Sequence, residues 1–421
     1  MAGRTWVIAP DAATLEARWD RLVAETDPVE KERLFHPQLR KGKVASRHIR
    51  KVVEQSLGMK PTRQVAILAD NDTCEAAIRY GFRSFDREWL IADARLLNDA
   101  RPVLWNAHSN RQLYLTAPDD ISASSGPALT FTDLIPDLHH YNGRGGRVCP
   151  LWKDRAGTES NIKPALLVRL AKIYGHEVKA EDMMAYLAAI MAHPAFTARF
   201  AADLRRPGLR VPLTANADLF AEAAGLGSEV IWLHTYGERF ADPKAGRPKH
   251  APRLPKEIVP HISAAGAIPP APEPLPDIID YDPATRRLKV GDGYVENVTP
   301  EMWTYEVSGK HVVWEWFSDR QRDRSKPLIA DKRPPSPLDS IQPAGWLAEY
   351  TTDLLDLLNV LGRLIALEPA QANLLDRICA GHLITHEELE AAGALKQPEA
   401  KPFSSAPKVK TKKKDKQPAG E

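Results

Sequence analysis

Arg320, Arg322, Arg324 and Lys326 recur at alternate positions directly after an aromatic and β-branched stretch, Trp303 to Phe317. A guanidinium is a planar fork that donates two parallel hydrogen bonds, so arginines carried on a rigid platform suit phosphate oxygens and guanine edges. Lys310 stands just upstream in the turn Ser308-Gly309-Lys310. Two further clusters have the same character. In Asn142-Gly143-Arg144-Gly145-Gly146-Arg147 the glycines let backbone N–H groups approach an anion, and Arg144 and Arg147 add charge. Arg205, Arg206 and Arg210 sit in R-R-P-G-L-R, where proline and glycine force an extended crossing. Plainer readings stand beside these. Asp319 and Asp323 interleave with the arginines, which equally suits a solvated turn of local ion pairs, each contributing roughly 0 to 1 kcal/mol. The glycine loop equally suits a hairpin tip.

Motifs for catalysis are missing from the sequence. There is no G-x-x-x-x-G-K-[ST] for a nucleoside triphosphate, no G-x-G-x-x-G for a dinucleotide and no H-E-x-x-H for zinc. An amino-methyltransferase needs an [ND]-P-P-[YFW] tetrad. The Pro269-Pro270 and Pro334-Pro335 pairs follow Ile268 and Arg333, and precede Ala271 and Ser336. Pro136-Asp137 and Glu177-Val178-Lys179 follow the order of a P-D…E-x-K metal nuclease. Their long spacing, with a helix between them, argues against a shared site. His139 and His140 are neighbours that a strand would point to opposite faces. Cys74, Cys149 and Cys379 lack any zinc-like spacing, so neither a metal nor a cofactor is expected on this chain.

The elements that must position these residues follow from the periodicity. The chain has 421 residues, 43% of them hydrophobic, enough for two or three cores. It has no apolar run of about 18 residues and no apolar segment near Met1, which points to a soluble, cytoplasmic protein that does not engage a membrane. The formal charge is +2, yet residues 396–421 carry eight lysines against three acids, which leaves the body at about −3. Nucleic-acid affinity must therefore come from local patches.

The expected fold class is α+β, with mixed or antiparallel β pieces around a central α-helical subdomain, then a β-meander and C-terminal helices. Residues 1–60 read as an N-terminal helical extension, with Asp11 capping a helix that carries Leu15, Trp19 and Leu22. Residues 61–240 begin β-rich, with strands at Tyr80 to Ile91, Arg101 to Trp105 and Gln112 to Leu115. They turn helical near Asn161, where methionines 183, 184 and 191 serve as core filler. Residues 241–276 are a proline-rich linker or strap. Residues 277–395 hold the meander, a hairpin over Trp303 to Phe317, and helices at Gly345 to Leu367 and Pro369 to Ala380. Residues 396–421 form a disordered basic tail.

Several segments taken together resemble the C-terminal target-recognition region of the Type ISP family of bacterial restriction-modification enzymes. They are Arg83-Ser84-Phe85-Asp86-Arg87-Glu88-Trp89, Tyr186 to Phe200 with Arg210-Val211-Pro212-Leu213-Thr214, and Leu226-Gly227 through Trp232-Leu233-His234. Val298-Thr299-Pro300, Trp303 to Lys310, and Arg320 with the P-P-S-P-L-D exit complete the set. The resemblance covers about residues 75 to 380. It implies a region that reads double-stranded DNA for an adenine-N6 methyltransferase domain, with nuclease and motor further upstream. The chain itself lacks methyltransferase motifs. It is therefore expected to be a sequence-specific DNA-binding subunit, not catalytic alone, which meets S-adenosylmethionine only through a separately encoded methyltransferase subunit. Residues 1–60 would be the trailing edge of such a domain. The expected DNA contacts are Arg144, Arg147, Arg205, Arg206, Arg210, Lys310, Arg320, Arg322, Arg324 and Lys326. Two other readings stay open: a methyltransferase or Mg²⁺-dependent nuclease with an atypical centre, and a non-catalytic remnant or protein-interaction scaffold.

Overall fold

Asp11 accepts a hydrogen bond from the Thr14 N–H at 2.7 Å and so starts the first helix where the sequence places it. The computed structural model describes residues 4–40, 43–44, 49–58, 60–119, 122–141, 146–206, 208–322 and 333–396. The basic tail from residue 397, together with Arg144, Arg324 and Lys326, lies outside them. The first part of the chain runs β1 (Ile8–Ala9), α1 (Ala12–Ala24), α2 (Pro28–Phe35), β2 (Leu39–Arg40), β3 (Lys43–Val44), β4 (Ala77–Arg83), β5 (Asp86–Ile91) and α3 (Pro102–Ala107). β4 and β5 form an antiparallel hairpin, and β1 pairs with the free edge of β5. Leu15, Trp19 and Leu22 of α1 are buried together with Tyr80 and Leu90 of that sheet. The strand expected at Arg101 to Trp105 is α3 instead. Pro102 occupies its first turn, where a missing N–H costs nothing.

The middle of the chain begins with β6 (Tyr114–Pro118), β7 (Thr130–Thr132) and β8 (Gly146–Pro150), an antiparallel sheet in the order β7-β6-β8. The change to helical period then appears as α4 (Pro164–Tyr174), α5 (Ala180–Met191), α6 (Pro194–Arg199) and α7 (Ala217–His234). Met183, Met184 and Met191 are buried, as core filler should be. Gly227 lets α7 lie directly on α5: a Cβ there would stand 1.7 Å from the Ala185 carbonyl oxygen.

The last part contains β9 (Ile279–Asp282), β10 (Arg287–Val290) and β11 (Gly293–Val295), an antiparallel meander. It continues with α8 (Pro300–Thr304), β12 (Glu306–Val307), β13 (Lys310–His311), α9 (Val312–Ser318), α10 (Ala348–Ala380) and α11 (His386–Ala391). The hairpin expected over Trp303 to Phe317 shrinks to two residues on each side of Ser308-Gly309. Val312, Val313, Trp316 and Phe317 are buried at i, i+1, i+4 and i+5, a helical stripe, so packing turns this β-prone run into α9. α10 is one helix of 33 residues, with Pro369 inside it rather than between two helices. The proline-rich stretch before β9 lies against α10, where Arg253 pairs with Asp356 at 2.6 Å and Asn359 accepts from the Leu254 N–H at 2.8 Å.

The β4–β5 hairpin joins two buried apolar clusters. Tyr80 and Leu90 belong to the N-terminal one, and Phe85 at its tip belongs to the cluster built on α5, α7, α10 and the meander. Phe85 adopts φ +64°, an unfavourable backbone for an aromatic residue, and its surroundings hold it there. Its ring lies 4.8 Å from His234 and 5.9 Å from Tyr305, and its carbonyl accepts from the Tyr236 hydroxyl at 2.7 Å. Arg79 reaches Glu349 at 2.7 Å and Asp353 at 3.3 Å, and Trp89 donates to Glu349 at 3.0 Å, which fixes the hairpin to α10.

Candidate nucleic-acid interface

Arg320 is withdrawn from the expected DNA contacts. Its side chain is 0% exposed. It donates to Asp86 of β5 at 2.9 Å and to the Trp316 carbonyl at 2.7 Å, with its guanidinium 4.0 Å over the Trp316 ring. Burial favours loss of the Arg320 proton, but the Asp86 and Glu88 carboxylates outweigh it and hold the guanidinium more firmly charged than usual. Burial in turn raises the Asp86 carboxyl above the ordinary carboxylate range, with Arg320 opposing. Asp86, Glu88 and Asp319 each place an oxygen within 4.8 Å of the others, the grouping among the described residues that comes nearest to a cation site. Arg320 already supplies it with positive charge. An arginine locked in this way is a structural bolt between the hairpin and α9.

The other described candidates lie at the surface on separate segments. Arg322 pairs with Asp277 through its Nε at 2.8 Å and through a second guanidinium nitrogen, and its N–H donates to the Pro276 carbonyl at 3.0 Å. Arg147 lies on β8, 2.7 Å from Asp119. Arg205 and Arg206 are exposed at the turn after α6, and Arg210 is exposed beyond them. Lys310 is 48% exposed, with its ammonium 3.0 Å from Glu315.

Lys310 also borders a small cleft. Arg83 and Ser84 from the β4–β5 turn, His140 and Tyr141, and Val307, Val312 and Glu315 complete its lining. The walls are tightly held. Ser84 donates to the Tyr141 carbonyl at 2.9 Å, and the Tyr141 hydroxyl donates to the Pro127 carbonyl at 2.8 Å. The Ser308-Gly309 turn is bound to the segment before β7: the Ser308 N–H meets the Ser125 carbonyl at 2.9 Å and the Gly309 N–H meets Ser125 Oγ at 2.9 Å. Gly126 permits this closure, since a Cβ there would lie 1.9 Å from the Glu306 carbonyl oxygen. His140 hydrogen-bonds Thr116 through Nδ1 at 2.8 Å, and burial lowers its pKa to about 3, so the ring is neutral at physiological pH.

Arg83 escaped notice as a site residue, being quoted only within a longer motif. Its guanidinium lies 3.8 Å over the Phe82 ring and 3.8 Å from Asp137. Nothing in its own neighbourhood marks it, because the turn that carries Lys310 meets it from a distant part of the sequence. The nuclease-like constellation is not assembled. Asp137 is buried and accepts from the Tyr80 hydroxyl at 2.8 Å and the His139 N–H at 2.9 Å, whereas Glu177 and Lys179 are exposed ahead of α5. His139 is exposed and His140 buried, but both lie in a turn rather than on a strand. Among the described residues, no helix is long and apolar enough to cross a membrane.

Residues 1–357 match the family model described as the Type ISP C-terminal specificity domain. No curated protein matches the chain. Among solved structures, the chain is similar to one described as a cryoEM structure of a DrdV–DNA complex, with TM-score 0.53 and 15% identity. That alignment covers 90% of this chain and 35% of the other. It is also similar to the ATP-dependent Type ISP restriction-modification enzyme LlaBIII bound to DNA, with TM-score 0.54 and 13% identity, over 90% of this chain and 22% of that one. At these identities the likeness concerns the fold, and it agrees with the α+β class. The chain spans about a third or less of the length of these two proteins.

Proposed function

The chain belongs to the Type ISP C-terminal specificity domain family, and from this premise we propose that it reads the base sequence of double-stranded DNA for a restriction-modification system. The observation that carries the reading is the family match over residues 1–357, which spans every segment holding a described surface cation of the candidate set. Arg147, Arg205, Arg206, Arg210, Lys310 and Arg322 are the contacts, joined by Arg144, Arg324 and Lys326 beyond the described residues. Some hold phosphates and set the register, and others read base edges. Adenine methylation, with its S-adenosylmethionine, is the task of a separately encoded methyltransferase subunit in the cytoplasm. DrdV and LlaBIII, which share the fold, are described in complex with DNA.

Selection from a randomised duplex pool across a salt series tests this. A motif of several base pairs should be enriched, with affinity falling steeply as salt rises. Failure to enrich any sequence, both alone and with a methyltransferase subunit added, overturns the reading.

A further inference from the structure

We propose that the cleft between the β4–β5 turn and the β12–β13 turn is a base-reading subsite that takes the acceptor edge of one guanine. This rests on the DNA-reading role above and assigns one step of it to particular residues. The two cations at the cleft each face a carboxylate, Lys310 with Glu315 at 3.0 Å and Arg83 with Asp137 at 3.8 Å. A phosphate is held by unmatched positive charge, and this cleft has little of it. The remaining lining is largely apolar or aromatic, with Val307, Val312, Tyr141 and the neutral His140 ring. Such a surface suits the uncharged edge of a base better than a phosphate.

The polarity of those hydrogen bonds selects the base. An ammonium has three N–H donors, and Lys310 gives one direction to Glu315, so donors are left for an incoming acceptor. Arg83 gives one terminal nitrogen to the Phe82 carbonyl at 2.7 Å, adds the donors of Nε and its other terminal nitrogen, and has no acceptor of its own. Guanine presents O6 and N7, both acceptors, in the major groove. Cytosine presents an amino donor and adenine one donor beside one acceptor, so each would bring N–H groups against N–H groups, while thymine offers a single acceptor, O4, beside a methyl group that takes no hydrogen bond. Glu315 and the stacked Phe82 hold the two cations in place before DNA arrives, which lowers the ordering cost of the contact.

The test compares base preferences from the randomised-pool selection for the whole chain and for Lys310→Ala, Arg83→Ala and Glu315→Gln. The expected result is that Lys310→Ala and Arg83→Ala relax the preference at one and the same guanine by roughly 10- to 100-fold and leave the other positions unchanged. Glu315→Gln unmatches Lys310, so the same guanine should lose selectivity while binding becomes more salt-sensitive. Lys310 is exposed and Glu315 half-buried at the rim, so these variants carry the test if Arg83→Ala does not fold. A uniform loss of affinity with a salt slope shallower by about one marks a phosphate contact and overturns the subsite. An unchanged profile overturns it as well. If the unmutated chain enriches no sequence, alone or with a methyltransferase subunit added, the DNA-reading role has failed first, and the subsite falls with it.

Discussion

Two cation–carboxylate pairs flank α9, Lys310 with Glu315 at 3.0 Å and Arg320 with Asp86 at 2.9 Å. Their lengths are nearly equal, but their surroundings are not. The first is near the surface, where water screens it and each partner keeps other options; the second has both side chains almost wholly removed from solvent. Stripping solvent from a charge costs several kcal/mol, so a buried partner cannot be exchanged for an incoming ligand, whereas an exposed one can. Distance alone does not separate a contact that holds a fold from one that can be lent to DNA. Burial does.

The largest effect expected from this contrast is at the hub. Arg320→Ala should cost about 3 to 5 kcal/mol, read by thermal or denaturant unfolding, because Asp86 loses its buried partner and must either stay charged without it or take up a proton. Adding Asp86→Ala should recover part of that loss, and a strictly additive double variant would break the contrast. Next comes the neutral histidine behind the cleft. His140 has its pKa lowered to about 3 in the fold, against 6.5 unfolded, so its contribution is intact above pH 6.5 and is lost as pH falls toward 3. The loss is on the order of a few kcal/mol, and His140→Gln should flatten the stability profile in that window. His234, lowered to about 3 by burial, sets the same window. Gly126→Ala should then cost about 1 to 3 kcal/mol, because its Cβ meets the Glu306 carbonyl and its φ is +64°. That would show that the turn carrying Lys310 is held rigid from behind. Smallest of all, Lys310→Ala should change stability by less than about 1 kcal/mol. A large loss there would erase the distinction between the two pairs.

What the sequence disclosed depended on how local the deciding forces were. Asp11 capping α1 and the apolar spacing of α4, α5 and α7 are local signals, and each became the expected helix, whereas Tyr80 to Ile91, expected as one strand, turns back at Ser84-Phe85 into the β4–β5 hairpin. Val312 to Phe317 misled because valine and tryptophan favour strands, while the core selected the helical stripe they also form. Arg320 looked like Arg322 in its own neighbourhood. What separates them is Asp86, which stands 234 residues away in the chain. The motif from Arg83 to Trp89, which carried part of the family resemblance, proves to be the hub between two cores, and only its first two residues border the cleft. Arg83 could not be singled out before the turn holding Lys310 was placed beside it.

The central claim is that this chain reads DNA sequence through exposed cations held by a buried frame. Selection from a randomised duplex pool, run on the unmutated chain and on Lys310→Ala side by side, tests it most directly. The account predicts an enriched motif of several base pairs, with one guanine whose preference collapses in the variant while the unfolding midpoint hardly moves. No enriched motif, even with a methyltransferase subunit added, or one that Lys310→Ala leaves intact, would contradict it.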